Sequence, residues 1–381
     1  MKFLFHGFSQ RLLFLSMTMM KKHTDFLVHT TSPLNAEPLP AALREHFITP
    51  SGLFYIRNHG EIPAIDPGTF QLHVNGMVKK ELLLSLEMIK KDFARHTVMV
   101  TLQCAGNRRD QLIEVAPIPG EVPWQSGAIG NEVWSGARLS DVLQTAGLID
   151  GAEYVEFMGA DDVYRKNENV GFGGSIPLEK ALSADVLLAY EMNGEPLAPT
   201  HGFPLRTIVP GYIGARSVKW LSRIMVQQHP SANYFQSHAY RLFPAHINGE
   251  NVDWNAGLQL SELSVNCVIT SPQSGEMVNG DPLLLKGYAM SGGGRKISRV
   301  DVSTDGGKSW ITATITQGGQ RWAWTFWEAL VQLNSAGTHE IIARAMDEAC
   351  NSQPEDARQV WNFKGYMNNA WHRIKLNTAG N

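Results

Sequence analysis

Cys104 has the setting of a reactive residue. It follows the alternating run HTVMVTLQ, residues 96–103, and opens the segment CAGNRRD. That pattern delivers a thiol from a strand into a glycine-containing loop, where reactive side chains are commonly presented. A thiolate beside the Arg108 and Arg109 guanidinium groups has its charged form favoured, and thiolate is the form that ligates soft metals. Gly106 permits a tight turn, and the arginines offer paired N–H donors to an anion. Taken alone, a buried structural cysteine is the competing reading of Cys104. Cys267 and Cys350 lack this setting and read as core residues.

Two more clusters place cations among glycines. One is Arg57-Asn58-His59-Gly60, beside Pro63. The other runs from His201-Gly202-Phe203-Pro204-Leu205-Arg206 into Pro210–Trp220 (PGYIGARSVKW). Loop cations at strand ends suit a phosphate or another anionic ligand, and their aromatic and aliphatic flanks argue against a merely solvated surface. Hydrolytic chemistry has little support. There is no GxSxG elbow, and thirteen histidines offer no unique partner for a cysteine.

The elements that position these residues read as an α+β domain followed by an all-β one. Residues 33–67 are proline-rich and read as an irregular wrapping arm. Strands are expected over residues 70–78, with an Asn-Gly turn at Asn75-Gly76, over 186–192, where Asn193-Gly194 opens another hairpin, and over 96–103, 154–158, 205–209 and 218–226. Helices are expected over 84–91, capped by Ser85, and over 139–146 and 178–184. Residues 231–253 loosen into a connection. From Leu260 onward, short β-rich runs alternate with Gly, Asn and Asp turns, the spacing of a β-sandwich. The run Ser303–Trp310 (STDGGKSW) fits a tight hairpin better than a calcium loop, because the bidentate acid of such a loop is missing.

Composition narrows the class. The 381 residues suffice for two domains, and 43% are hydrophobic, which excludes a disordered chain. A net charge of −3 argues against nucleic-acid binding. Three scattered cysteines make no disulfide scaffold, and there is no CxxC to hold zinc. No run is long enough to span a bilayer. The apolar run Leu12–Met20 is signal-like but is followed by Lys21 and Lys22 without a cleavage site, and a start at Met19 or Met20 is the alternative. The compartment, cytoplasmic or periplasmic, stays open.

Several long segments then carry a resemblance. LQCAGNRR (102–109), WSGARLSDVL (134–143), GSIPLEKAL (174–182), LLAYEMNGEPL (187–197) and HGFPLRTIVPGYIGARSVKWL (201–221) resemble the molybdenum-cofactor domain of sulfite oxidases. KGYAMSGGGRKISRVDVSTDGGKSW (286–310) and YMNNAWHR (366–373) resemble that family's C-terminal dimerisation domain. Plant and fungal nitrate reductases share both domains. The resemblance implies a sulfite-oxidase-type α+β molybdopterin domain over 51–245 and an immunoglobulin-like sandwich over 260–381, and it leaves uncovered an N-terminal arm over 1–50. It implies a homodimer, and it implies molybdenum-molybdopterin (Moco) as cofactor with Cys104 as the protein's metal ligand. Arg57, Asn58, His59, His201, Arg206, Ser217, Val218 and Lys219 would hold the pterin and its phosphate. Arg57, Arg109, Trp124 and Lys364 would form a sulfite pocket.

Two positions depart from the pattern. Phe172 in FGGSIP stands where sulfite oxidases carry a tyrosine, leaving Tyr164 or Tyr212 as substitutes for the phenol. Lys364 in WNFKG stands where they carry an arginine, so it keeps the charge but loses the planar fork. No haem, flavin or nicotinamide motif is legible. The expectation is therefore oxidation of sulfite to sulfate, with electrons passed to an external acceptor such as a cytochrome c or oxygen. Reduction of nitrate or another oxyanion on the same site is the alternative. A binding module with a decayed site is the remote one.

Overall fold

In the first half of the chain, two sheets share a core through Ala137 and Leu188, and the strand that leads to Cys104 lies at the edge of one of them. The computed structural model describes residues 26–165, 167–279, 282–333 and 335–378. The signal-like run and the alternative starts lie outside them. Arg95–Gln103 pairs antiparallel with Ile129–Arg138, from Arg95 opposite Ala137 to Gln103 opposite Ile129. Leu187–Met192 takes the other edge of Ile129–Arg138, and both Glu195–Pro196 and Arg206–Ile208 pair with it. Of the two expected Asn-Gly turns, the one at Asn193 and Gly194 is present, with φ of 53° and 84°, whereas Asn75 lies within strand Gln71–Gly76 and is not at positive φ. Positive φ at both central residues is what a tight hairpin of this hand requires.

The second sheet runs in the order Gly173–Pro177, Tyr154–Gly159, Leu221–Gln227, Gln71–Gly76, Leu82–Ser85. Only the pairing of Leu221–Gln227 with Gln71–Gly76 is parallel. Helix Leu139–Ala146 packs here because its apolar residues Leu139, Val142, Leu143 and Ala146 recur at helical spacing and share a core with Leu72, Val74, Phe157 and Ile224. Helix Leu86–Asp92 starts where its cap predicts, the Ser85 hydroxyl accepting the Met88 N–H at 3.1 Å.

The second half is a sandwich. Asn266–Ser271, Leu283–Met290, Thr325–Val331 and Thr314–Gln317 form one sheet. The other comprises Met277–Val278, His372–Thr378, Gly337–Asp347, Ile297–Ser303 and Ile311–Thr312. Cys267, Ile269, Leu285 and Trp327 from the first face Val300, Val302, Ile341 and Ile374 from the second across one core. The turn after Ile297–Ser303 is closed by the Asp305 carboxylate, which accepts from the Ser303 and Ser309 hydroxyls at 2.8 and 2.6 Å. The halves are stitched beside the Cys104 strand. There Tyr288 donates to the Ser126 carbonyl at 2.8 Å, and the Trp324 N–H donates to the Thr101 hydroxyl at 2.7 Å.

Two expectations are corrected. The proline-rich arm is partly regular, with a hairpin of Phe26–Thr31 and Leu34–Pro38 followed by helix Pro40–Arg44. Its prolines are compatible with this because they fall in the hairpin turn (Pro33), at a strand end (Pro38) and in the first helical turn (Pro40), where no ladder N–H is missed. Cys350 is exposed rather than in the core, at φ 62° in the turn that follows Gly337–Asp347.

Candidate cofactor and substrate site

Several loops, fed by strands and by the N-terminal hairpin, converge on one cavity. Cys104 arrives at the end of its strand, where its N–H donates to the Ala128 carbonyl at 2.9 Å. Arg57, Asn58 and His59 arrive on the loop after Ile56, which is anchored to Ala36 of the hairpin by two backbone hydrogen bonds. Arg206 opens strand Arg206–Ile208, and His201, Ser217 and Lys219 come from the loops flanking it. All eight line the cavity, as does Phe172. Burial raises the Cys104 thiol, while Arg57, Arg109 and the Gly106 N–H at 3.4 Å pull it back down. The net direction is upward, and a bound metal cation would favour the thiolate.

The two arginines of CAGNRRD part company. Arg108 adopts φ 64°, a left-handed turn, and its buried guanidinium donates to Gln111 and to Asn266 at 2.6 Å. It ties the two halves together and does not stand beside the thiol as expected. Arg109 does: a Cβ on Gly106 would lie 2.5 Å from its Nη2. Gly365, at φ 61°, opens the other side, where an added Cβ would lie 2.7 Å from Arg109 Nε. Only glycine at both positions leaves room for the guanidinium.

In the cavity, cations are held by neutral oxygens. Arg206 donates to the His201 and Ser217 carbonyls, each at 2.9 Å. Its pKa is lowered to about 10 because burial penalises the charge. Arg57 donates to the Asn35 amide oxygen at 3.2 Å and to the Asn58 carbonyl. Lys219 donates to the Asn58 amide oxygen and to the Thr200 carbonyl. His59 is held neutral, first by burial and then by Arg57 and the nearby cations. Its ring stacks on Phe172 at 4.9 Å, and Nε2 shares a 2.8 Å hydrogen bond with the Tyr240 hydroxyl.

The residues present suit an anionic, hydrogen-bonding cofactor with a soft metal. Asn58 Nδ2 and Asp161 Oδ1 are buried in the lining with no hydrogen-bond partner among the described residues, so a donor and an acceptor await a ligand. Arg57, Arg206 and Lys219 together suit an anion, and the thiol suits a soft metal. Asp161 had no place in the sequence reading. Burial raises its carboxyl to about 6, and its signal was only an acidic pair, Asp161-Asp162, just after strand Tyr154–Gly159.

Four expected residues lie off the cavity lining. The Val218 side chain is in the hydrophobic core of the second sheet. Trp124 is fully buried, packed in the Cys104 cluster and edge-on to His29 at 4.9 Å. Arg109 and Lys364 form a separate corner with Glu121, a residue that sequence did not single out. Arg109 gives Nε to the Gly365 carbonyl at 3.0 Å and Nη1 to the Val122 carbonyl at 2.7 Å, with Nη2 3.7 Å from Glu121. Lys364 hydrogen-bonds the other Glu121 oxygen. The corner adjoins the cavity through Tyr366, whose ring lies 5.1 Å from the Arg109 guanidinium and stacks at 5.3 Å on Tyr240, a lining residue. Tyr164 is exposed, and neither it nor Tyr212 reaches the lining. Tyr240 supplies the phenol there instead.

Residues 59–235 match the oxidoreductase molybdopterin binding domain, and residues 258–379 match the Mo-co oxidoreductase dimerisation domain. The chain is 42% identical over 361 residues to sulfite oxidase of Gallus gallus, covering 92% of this chain and 78% of that one. It is 42% identical over 377 residues to sulfite oxidase of Arabidopsis thaliana, covering 93% and 94%. Nitrate reductase [NAD(P)H] of Hordeum vulgare is 41% identical over 370 residues, 91% of this chain but 41% of that protein. Among solved structures, the sulfane dehydrogenase SoxCD of Paracoccus pantotrophus superposes with a TM-score of 0.75 at 26% identity, covering 95% and 89%.

Proposed function

The chain belongs to the sulfite oxidase family of molybdopterin oxidoreductases, and from that premise we propose that it oxidises sulfite to sulfate and passes the electrons to an external acceptor. The observation that carries the reading is the meeting of the Cys104 thiol in one cavity with Arg57, Arg206 and Lys219, cations from two separate loops and the start of a strand. When bound, the molybdenum–pterin cofactor supplies the two-electron centre and the transferable oxygen.

The protein's own residues bind, orient and balance charge. Cys104 ligates the metal as thiolate. Arg206, Lys219, Ser217 and His201 hold the cofactor's anionic and polar groups, and Asn58 Nδ2 and Asp161 Oδ1 gain the partners they lack. Arg57 and Arg109 flank the thiol and give the incoming dianion a positive field in a low-dielectric site. Lys364 adds a third cation, and Trp124 closes the wall behind Cys104. Asn35 accepts from both Arg57 and the Asn58 N–H, so the hairpin fixes that loop. Glu37 fixes the opposite one by accepting from the Gln125 and Gly127 N–H groups at 2.7 and 2.8 Å.

In this reading residues 51–245 hold the cofactor, residues 260–381 form a homodimer, and the acceptor is a cytochrome c or oxygen. Among the described residues, no helix is long and apolar enough to cross a membrane. Sulfite-dependent reduction of ferricyanide by molybdenum-replete protein tests the reading. Turnover of nitrate with reduced dye, without sulfite turnover, would replace it with the oxyanion-reductase reading.

A further inference from the structure

The corner beside the cavity holds a carboxylate where an anionic substrate would need cations. Arg109 spends two guanidinium nitrogens on carbonyls, which fixes its plane and leaves Nη2 as the one directed at Glu121. At 3.7 Å this is an ion pair rather than a hydrogen bond. Lys364, the other cation, is hydrogen-bonded to the same carboxylate. The three side chains are largely shielded, with exposures of 2% for Arg109, 15% for Glu121 and 21% for Lys364. Their charges are therefore less screened than at a surface. Glu121 is attached at the chain segment just before Val122, Pro123 and Trp124, and among the described residues its carboxylate is met by these two cations.

We propose that Glu121 is a built-in counter-ion that competes with the substrate. Its carboxylate sits on Arg109 Nη2 and Lys364 Nζ in place of two oxygens of a sulfite or sulfate dianion, and must give up Lys364 when the dianion enters. The assignment rests on the sulfite reading for its substrate, but its physical content is an anion site held in reserve. A carboxylate already present keeps two cations from being buried unpaired, which would be costly. It also lowers the affinity for every oxyanion, product included, and so favours release of sulfate. Glu121 is a positioning residue for two cations and touches no reacting atom.

The test is Glu121→Gln in the cofactor-loaded protein, with Glu121→Asp as the conservative rescue. Steady-state kinetics with sulfite, inhibition by sulfate, and calorimetric titration with sulfate alone are measured at low and high salt. The expected result is that KM for sulfite, Ki for sulfate and the sulfate dissociation constant each fall about fivefold in Glu121→Gln. Glu121→Asp returns toward wild type, and the difference shrinks as salt rises. Sulfite turnover by the wild type with all three constants unchanged or raised in Glu121→Gln would overturn the inference alone. Wild-type protein that turns over no sulfite, while sulfate binds the variant more tightly, would overturn the functional reading and leave the counter-ion assignment standing.

Discussion

The cavity and the corner next to it handle positive charge in opposite ways. In the cavity, Arg57 and Arg206 are held by amide and carbonyl oxygens, and among the described residues no carboxylate pairs with either. In the corner, Arg109 and Lys364 share the Glu121 carboxylate. Neutral oxygens fix a cation's direction without cancelling its charge, so the first arrangement stores a positive field for a ligand that stays. A carboxylate cancels the field until something displaces it, which suits a ligand that comes and goes. On the proposed function, the contrast separates a resident cofactor's cradle from a substrate's landing site, using the same residue types.

The largest effect that would break this division is at the thiol. Cys104→Ser is expected to cut sulfite turnover by more than about 100-fold, because even the outer partners of metal ligands cost about 10–100-fold. Unchanged circular dichroism and thermal midpoint would show that the fold persists, and full activity would contradict the role. Next comes Arg206→Gln, which removes a cavity cation held by the His201 and Ser217 carbonyls. Charged hydrogen bonds contribute about 1.5–3 kcal/mol, so co-purified pterin and molybdenum per chain should fall about tenfold or more under dilution. Glu121→Gln should act in the opposite sense and on sulfite rather than on cofactor content.

Smaller effects sharpen the comparison. Phe172→Tyr places a phenol on the face that stacks against His59. It should lower KM for sulfite about two- to fivefold if the phenol reaches substrate, and an unchanged KM would mean that Tyr240 already fills that role. The smallest effect concerns Asp161, whose carboxyl burial raises from 3.8 to about 6. A raised folded-state value means that its stabilising protonation is complete below about pH 4 and is lost as pH rises through about 6. Cofactor-free Asp161→Asn protein should therefore match wild type near pH 4 and melt about 1–3 °C higher at pH 7.5. A constant difference across that range would contradict the shift.

Much of the fold was legible in the sequence because its signals are local. Alternation marked Arg95–Gln103, helical spacing marked Leu139–Ala146, and Asn193-Gly194 marked a hairpin. The arm misled because proline content says little once each proline falls where no N–H is needed. In the site, loop cations among glycines identified the cavity lining well. What stayed hidden depends on side-chain direction. A left-handed backbone at Arg108 turns one of two adjacent arginines away from the thiol. Asp161 and Tyr240 reach the cavity from separate loops with no motif to announce them. Glu121 meets Lys364 across 243 positions of sequence, a distance over which spacing carries no information.

The most direct test of the central claim is anaerobic addition of sulfite to protein whose molybdenum has been quantified, following the visible absorption that the proposed Cys104 thiolate–metal bond would give. The account predicts that this absorption bleaches with about one sulfite per bound metal and that Cys104→Ser lacks the band altogether. An unchanged spectrum in metal-replete protein would contradict sulfite as the donor to this site.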